Sequence, residues 1–326
     1  MLDMSPELLT EVCHMLSPFA DEYCITRLVR AIEQAPSVRG SQPWSFRIVA
    51  SDRIELRADQ ARWLKVADPR ARALTISCGA ALFNLRMAIR VTGHNVAVWL
   101  LPDPGHDPSL LASVEIVTHR TIGPAVTHQE LYDCIPRRRT NRSPFTGPRV
   151  KTNILVTMQL AAAREEGWLR ILNQQQTKQW LRAARDGQRE LGADQLYQDE
   201  LRRLAPGYLM SSGADDLLLS NKLERRPQLL GLSTDEDKPL DWLRAGQALQ
   251  RALLTGTRFG VAASFLTQPL ELRDMPASIG PTPLRRWPWK WPWDEVPQMV
   301  LRVGHVAREQ DDVFRPQLPN VTDMRP

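Results

Sequence analysis

The chain has 326 residues, of which 43% are hydrophobic and 24% charged. This size and composition are typical of a soluble globular protein with two domains or one large one. The net charge is +5, from 42 basic and 37 acidic residues. The arginine runs are short and scattered along the sequence, which disfavours a nucleic-acid-binding protein and indicates solvated helix faces. These runs are at 137–139, 202–203, 225–226 and 285–286.

The four cysteines form no CxxC pair and have no histidine at metal-ligand spacing. They are Cys13, Cys24, Cys78 and Cys134. The pattern predicts free thiols in a reducing compartment and no metal site. The N-terminal segment lacks the basic and apolar regions of a signal peptide, and no apolar stretch approaches the ~20 residues of a membrane span. We therefore expect a cytoplasmic protein that does not act at a membrane.

Residues 28–49 predict a helix, a Pro-containing loop and a strand, with Trp44 in the core where the strand starts. A second helix follows from Asp68, which is placed as an N-cap, with Pro69 as the first helical residue. Gly93 ends this helix. The β-branched run Asn95–Leu101 then predicts a buried strand.

An internal repeat connects residues 68–102 with residues 235–269 at a constant offset of 235 − 68 = 167. Aspartate, glycine and proline positions coincide without gaps. The matches include Asp68 with Asp235, Gly79 with Gly246, Gly93 with Gly260, and Pro102 with Pro269. Such a repeat indicates two copies of one structural unit.

The repeat extends upstream, where Phe46–Ile48 matches Leu169–Ile171 at an offset of 169 − 46 = 123. The growth of the offset from 123 to 167 places about 44 extra residues in the second copy, within roughly 173–234. Long insertions in compact units are often lids or binding elements, although a solvated helical extension is an equal alternative.

Several motifs occur in the order found in one flavoprotein family. Residues 35–44, APSVRGSQPW, are similar to a loop that contacts flavin, and residues 138–142, RRTNR, are similar to a segment that holds the FMN phosphate. Further matching patterns lie at 68–88, 242–254 and 297–304. The ordered set resembles the nitroreductase superfamily, most closely its Acg-like FMN-binding relatives. The resemblance covers roughly 25–315 apart from the insertion.

The resemblance implies FMN as cofactor and a set of residues that bind it. Guanidinium and hydroxyl groups suit a phosphate dianion, and in an extended segment alternate side chains point to one side. The phosphate candidates are Arg138, Arg139, Thr140, Arg142 and, near the C-terminus, Arg315 or Arg308. The ring candidates are Pro36, Ser37, Arg39, Gly40, Ser41 and Gln42. Gly40 stands where the family often has asparagine, so one side-chain contact to the ring is missing.

The two copies keep opposite halves of this site. The first copy (1–120) has the ring loop, and the second (121–326) has the phosphate segment, while its own ring loop is cut to residues 165–168. We therefore expect an α+β, nitroreductase-like fold of two tandem diverged repeats that form a pseudo-dimer within one chain, with one FMN site. A further homo-oligomer stays open.

The implied function is flavin-mediated transfer of hydride or electrons from NAD(P)H to a small organic acceptor. The flavin carries the chemistry in such enzymes, so no catalytic side chain is assigned. The alternative is a non-catalytic protein that stores FMN beneath a closed lid. The Trp-Pro run at 287–293 could line a substrate channel, bind a partner or pack on the protein itself.

Overall fold

In the computed structural model, the described residues are 17–19, 22–117, 126–204, 218–219, 223–275, 291 and 293–306. They form an α+β fold with two separate antiparallel sheets, as expected. The helices are α1 (Glu22–Glu33), α2 (Arg72–Arg90), α3 (Val126–Cys134), α4 (Thr152–Ala163), α5 (Gln174–Ala193), α6 (Gln195–Leu204), α7 (Pro239–Arg258) and α8 (Gln268–Asp274). The strands are β1 (Trp44–Ala50), β2 (Arg53–Ala58), β3 (Asn95–Leu100), β4 (Leu110–Val117), β5 (Trp168–Ile171), β6 (Gln228–Thr234), β7 (Ala262–Phe265) and β8 (Val296–Gly304).

The two sheets have the same strand order, β1-β2-β4-β3 and β5-β6-β8-β7. Each sheet packs one face on the central helices. The inner face of the first sheet includes Phe46, Leu56 and Val114, and that of the second includes Leu230 and Leu301. In the first sheet, the alternation of inward apolar residues along β1 and β2 favours the observed register.

Helices α2 and α7 cross at the centre of the molecule through two glycines. A Cβ on Gly79 would lie 2.3 Å from the Leu243 carbonyl oxygen, and one on Gly246 would lie 2.0 Å from that of Ile76. Only residues without a side chain permit this approach. The two contacts are related by the repeat offset, since 246 − 79 and 243 − 76 are both 167.

Several predictions of local structure need correction. Helix α2 starts at Arg72, not at Pro69, although Asp68 still accepts hydrogen bonds from the N–H groups of Ala73 and Leu74 at 3.0 and 2.7 Å. In the second copy the N-cap is Lys238, and Asp235 instead accepts from the Trp168 indole. An N-cap depends on local backbone conformation, which a repeat offset does not report.

The strand predicted at 95–101 forms as β3, but it is not buried. It lies at the edge of the first sheet, where Trp99 remains 49% exposed. Trp44 is buried at the start of β1, as predicted.

The prediction of free thiols holds for Cys78 and Cys134 and is wrong for Cys24, which is disulfide-bonded. A reducing compartment therefore does not follow from the cysteines.

The predicted insertion contains helices α5 and α6, and its last residues form β6. The added helices therefore lie between β5 and β6. Helix α5 starts with a capping box formed by Asn173 and Gln176, which is a common N-terminal signature. None of the helices in the described ranges is long and apolar enough to cross a membrane.

Candidate functional site

A pocket opens beside the N-terminal end of α2. It encloses about 940 Å³ of space not filled by atoms, part of which is open to solvent. It is lined by Pro36, Ser37, Val38, Arg39, Gly40, Arg72, Ala73, Ile76, Ser77, Thr140, Arg142, Leu249, Ser264, Phe265, Thr267, Gln268, Glu271 and Met299. Residues of the predicted ring loop and of the predicted phosphate segment thus share one cavity.

The loop between α1 and β1 is shaped by internal hydrogen bonds. The Ser37 hydroxyl accepts from the Gln42 N–H at 3.0 Å, and the Val38 N–H donates to the Ser77 hydroxyl at 2.9 Å. Arg39 and Gly40 both have left-handed φ angles, of 51° and 70°. A Cβ on Gly40 would meet no atom within 4 Å. The missing side chain at this position therefore leaves open space at the pocket.

Two predicted ring-loop residues lie outside the pocket lining. The Gln42 amide donates to the Glu33 carbonyl at 2.8 Å and so ties the loop to the end of α1. The Ser41 hydroxyl is buried without a hydrogen-bond partner among the described residues. Gln42 also has a left-handed φ of 46°. These contacts give Gln42 a part in setting the loop conformation.

The predicted phosphate segment follows α3 and runs beside β7. The Asn141 N–H donates to the Ala263 carbonyl at 2.8 Å, and Thr140 forms a parallel bridge with Ala263. This pairing holds the segment against the second sheet. It brings the side chains of Thr140 and Arg142 to the pocket.

Arg138 is half-buried next to this lining. Its guanidinium donates to the Gln34 carbonyl at 3.1 Å and to the Thr140 hydroxyl at 3.5 Å. Its Nε is buried without a partner, and no carboxylate of the described residues pairs with it. Burial, reinforced by the neighbouring charge of Arg139, lowers the pKa of Arg138 to about 10. A desolvated cation without an anion is costly, so this environment favours an anionic ligand.

Arg72 was not among the predicted site residues, although it stands in the matching 68–88 pattern. It is 2% exposed and lines the pocket. Its guanidinium bonds the Asp274 carboxylate at 2.5 Å and the Gln298 carbonyl at 2.7 Å. Burial alone would raise the pKa of Asp274, but the charges of Arg72 and Arg273 lower it. Arg72 therefore holds a fixed cation at the start of α2.

Sequence patterns missed further lining residues, including Ser264 of β7, Thr267 at the N-cap of α8 and Glu271 of α8. No motif marked these residues. Arg139 does not line the pocket and donates to the Arg138 carbonyl at 2.8 Å. Arg308 and Arg315 lie outside the described residues, as do 287–290 and 292 of the Trp-Pro run.

The shortened loop of the second copy has a different environment. The Glu165 carboxylate bonds Arg86 and Arg251, each at 2.6 Å, and is buried between them. A Cβ on Gly167 would lie 2.4 Å from that of Ala248. This turn therefore packs directly onto α7. The corresponding loop between α1 and β1 is longer and lines the pocket instead.

Comparisons with known proteins agree with the ordered motifs. No family model matches the chain. Two Mycobacterium tuberculosis proteins, "Putative NAD(P)H nitroreductase Rv3131" and "Putative NAD(P)H nitroreductase acg", are each 27% identical to it. The first similarity covers 89% of this chain and 87% of the relative, and the second covers 90% of each. The resemblance to the nitroreductase superfamily is confirmed. One of these two relatives is the Acg protein, so the expected similarity to Acg is also confirmed.

Solved structures are more distant. A putative nitroreductase from Anabaena variabilis covers 90% of this chain and 92% of its own at 10% identity, with a TM-score of 0.47. A nitroreductase with bound FMN from Desulfitobacterium hafniense covers 60% of this chain and 97% of its own at 15% identity, with a TM-score of 0.41. Likenesses at this level carry no conclusion about function.

Proposed function

We propose that this protein is an FMN-binding oxidoreductase of the nitroreductase type, which passes hydride or electrons from NAD(P)H to a small organic acceptor. The observation that carries the proposal is Arg138, a desolvated cation without a carboxylate partner among the described residues. It contacts Thr140, which lines the pocket with Arg142. The names of the mycobacterial relatives support the same activity.

The donor set suits FMN. Arg138, Thr140 and Arg142 would hold the phosphate, with Arg139 at their side and Arg315 as the candidate from the C-terminal segment. Guanidinium groups and a hydroxyl are strong donors to a phosphate dianion. Residues 36–40 would lie along the ring, where the open space at Gly40 admits a planar group. When bound, FMN would supply the hydride and electron transfer for which no side chain is assigned.

We further propose that the chain consists of two diverged nitroreductase-like repeats, 1–120 and 121–326, arranged as a pseudo-dimer. The equal strand orders and the offset-related glycine contacts between α2 and α7 support this arrangement. The buried Glu165 turn supports a single FMN site, because it fills the position that a ring loop would take in the second copy. The expected stoichiometry is one FMN per chain.

The flavin proposal is tested by titrating the purified protein with FMN and recording the visible spectrum. We expect saturation at one equivalent. A double variant, Arg138→Gln with Arg142→Gln, should bind at least roughly 100-fold more weakly, because charge-assisted hydrogen bonds are each worth about 1.5–3 kcal/mol. A matched control, Arg137→Gln with Arg149→Gln, removes the same charge at exposed positions outside the pocket lining. Absence of FMN binding by the unaltered protein would refute the proposal, and equal binding by both double variants would refute the phosphate assignment.

Stopped-flow mixing of the FMN-loaded protein with NADH or NADPH tests the activity. The proposal expects bleaching of the flavin band and its recovery on addition of a nitro compound or quinone. Retention of FMN without bleaching by either nicotinamide would instead favour FMN storage.

A further inference from the structure

Arg39 turns away from the backbone of its own loop and contacts two residues that are distant in sequence. Its guanidinium donates to the Glu271 carboxylate at 2.6 Å and to the Tyr197 hydroxyl. The guanidinium carbon also lies 5.8 Å from the centre of the Tyr197 ring. The left-handed φ of Arg39 is thus accompanied by side-chain contacts to two distant residues. The loop conformation and these contacts constrain each other.

Glu271 is the acceptor at the centre of this group. Its carboxylate receives the Tyr197 hydroxyl at 2.9 Å and the Thr267 hydroxyl at 2.8 Å, in addition to Arg39. Both charged side chains are nine-tenths buried or more, with exposures of 8% for Arg39 and 7% for Glu271. Burial alone would raise the pKa of Glu271, but the charge of Arg39 and the three hydrogen bonds lower it. The two residues therefore form an ion pair with no net charge at the pocket wall.

Tyr197 belongs to α6, inside the segment that the first copy lacks. The same helix is docked by Glu200, whose carboxylate accepts the N–H groups of Val66 and Ala67 at 2.8–3.0 Å. Leu201 packs in a buried cluster with Leu64. The inserted segment is thus fastened to the first copy at two places, and one of them is the pocket residue Arg39.

We propose that Glu271 and Tyr197 are positioning residues for Arg39, which hold its guanidinium in the pocket wall and neutralise its charge beside the flavin ring. The inserted segment is then a part of the cofactor site. This inference rests on the proposed FMN function. A cation beside a flavin ring favours the reduced form, since reduction adds negative charge. The ion pair removes that influence.

The reduction potential of bound FMN tests this role, because a purely structural residue would leave it unchanged. Glu271→Gln frees the charge of Arg39, and we expect a shift of the potential to less negative values. The double variant Arg39→Gln with Glu271→Gln is neutral again and should return to near the potential of the unaltered protein. Glu200→Gln is the matched control, since it removes one carboxylate from the same docking surface but changes no charge at the pocket.

If Glu271→Gln does not fold, the single variant Arg39→Gln tests the same role through a shift of the reduction potential in the opposite direction. At pH 8 it should leave the Glu271 charge in place and shift the potential to more negative values. An unchanged potential in either FMN-loaded single variant, or an equal shift in Glu200→Gln, would overturn the inference. If the unaltered protein bound no FMN, the proposed function itself would fail, so the two failures are distinguishable.

Discussion

The outer faces of the two sheets differ, although their strand orders are the same. On the first sheet, Trp99 and Val49 are 49% and 40% exposed, and charged residues such as Glu55 and Arg53 share that side. On the second sheet, Gly231 lies beneath the ring of Trp291, which packs with Trp180 of α5. Sheets with the same strand order can therefore serve as a surface layer or as an inner layer, depending on which elements cover them.

The difference is visible in single strands. In strand β2, RIELRA, buried Ile54 and Leu56 alternate with more exposed neighbours, whereas six of the seven residues of β6, QLLGLST, are buried. Alternation is typical of a sheet with one solvated face, and a continuous apolar run is typical of a sheet covered on both faces. The helices inserted between β5 and β6 supply the second cover, with Trp180, Leu181 and Ala184 in its core.

The strongest test of this contrast compares the buried Trp291 with the exposed Trp99. Trp291→Ala should lower the free energy of unfolding by about 3–5 kcal/mol, because it opens a cavity over the second sheet. Trp99→Ala should cost less than about 1 kcal/mol, because the side chain is half exposed. Urea unfolding of both variants measures the difference. Equal losses would show that the outer face of the second sheet is no more buried than that of the first.

The central helix crossing tests what the two copies have in common. Gly246→Ala should destabilise the protein by about 1–3 kcal/mol, since the new Cβ would meet the Ile76 carbonyl oxygen. Gly79→Ala should cost a similar amount through the Leu243 carbonyl. The control is Gly192→Ala near the end of α5, where a Cβ meets no atom within 4 Å, and we expect it to stabilise slightly. A neutral Gly246→Ala would contradict the close approach of α2 and α7.

The aspartates at the two central helices should differ in their pH dependence. Burial alone would raise the pKa of Asp237, but hydrogen bonds from Trp242 and Arg70 lower it to about 2. Its stabilising contribution, about 2 kcal/mol, is present above the unfolded pKa near 3.8 and is lost as the pH falls towards 2. The stability difference between the unaltered protein and Asp237→Asn should therefore be constant above pH 5 and shrink below pH 4.

The pKa of Asp68 is shifted in the opposite direction, because burial raises it. Its folded form binds a proton more tightly, so its contribution weakens as the pH rises through the unfolded pKa. Urea unfolding of Asp68→Asn across the same pH range measures this sign. Parallel pH profiles for the two variants would contradict the opposite pKa shifts of the two aspartates.

The sequence alone predicts the features that depend on local pattern. The repeat at offset 167 predicts two equal helices, and the glycines that it aligns are those that meet at the crossing. The motifs at 35–44 and 138–142 each contain residues that line the pocket, namely 36–40, Thr140 and Arg142. Trp44 at the start of β1 follows from the same reasoning. In each case, the prediction rests on the residue types within short segments.

The contacts of the insertion could not be predicted in this way. Arg39 and Tyr197 are 158 positions apart, and neither stands in a pattern that indicates the other. The burial of Trp291 and the exposure of Trp99 depend on which sheet the inserted helices cover. Contacts between distant segments are determined by how the segments pack in the folded protein. Where no motif marks the two segments, a single sequence does not predict such contacts.

The buried Glu165 turn has a consequence for engineering. Lengthening the loop after α4 to create a second cavity would displace the carboxylate that neutralises Arg86 and Arg251. Two buried guanidinium groups would then repel each other within the central helix layer, so the graft would also require new residues at both arginine positions. A longer loop alone would therefore not produce a second cavity, because at least three coordinated changes would be needed.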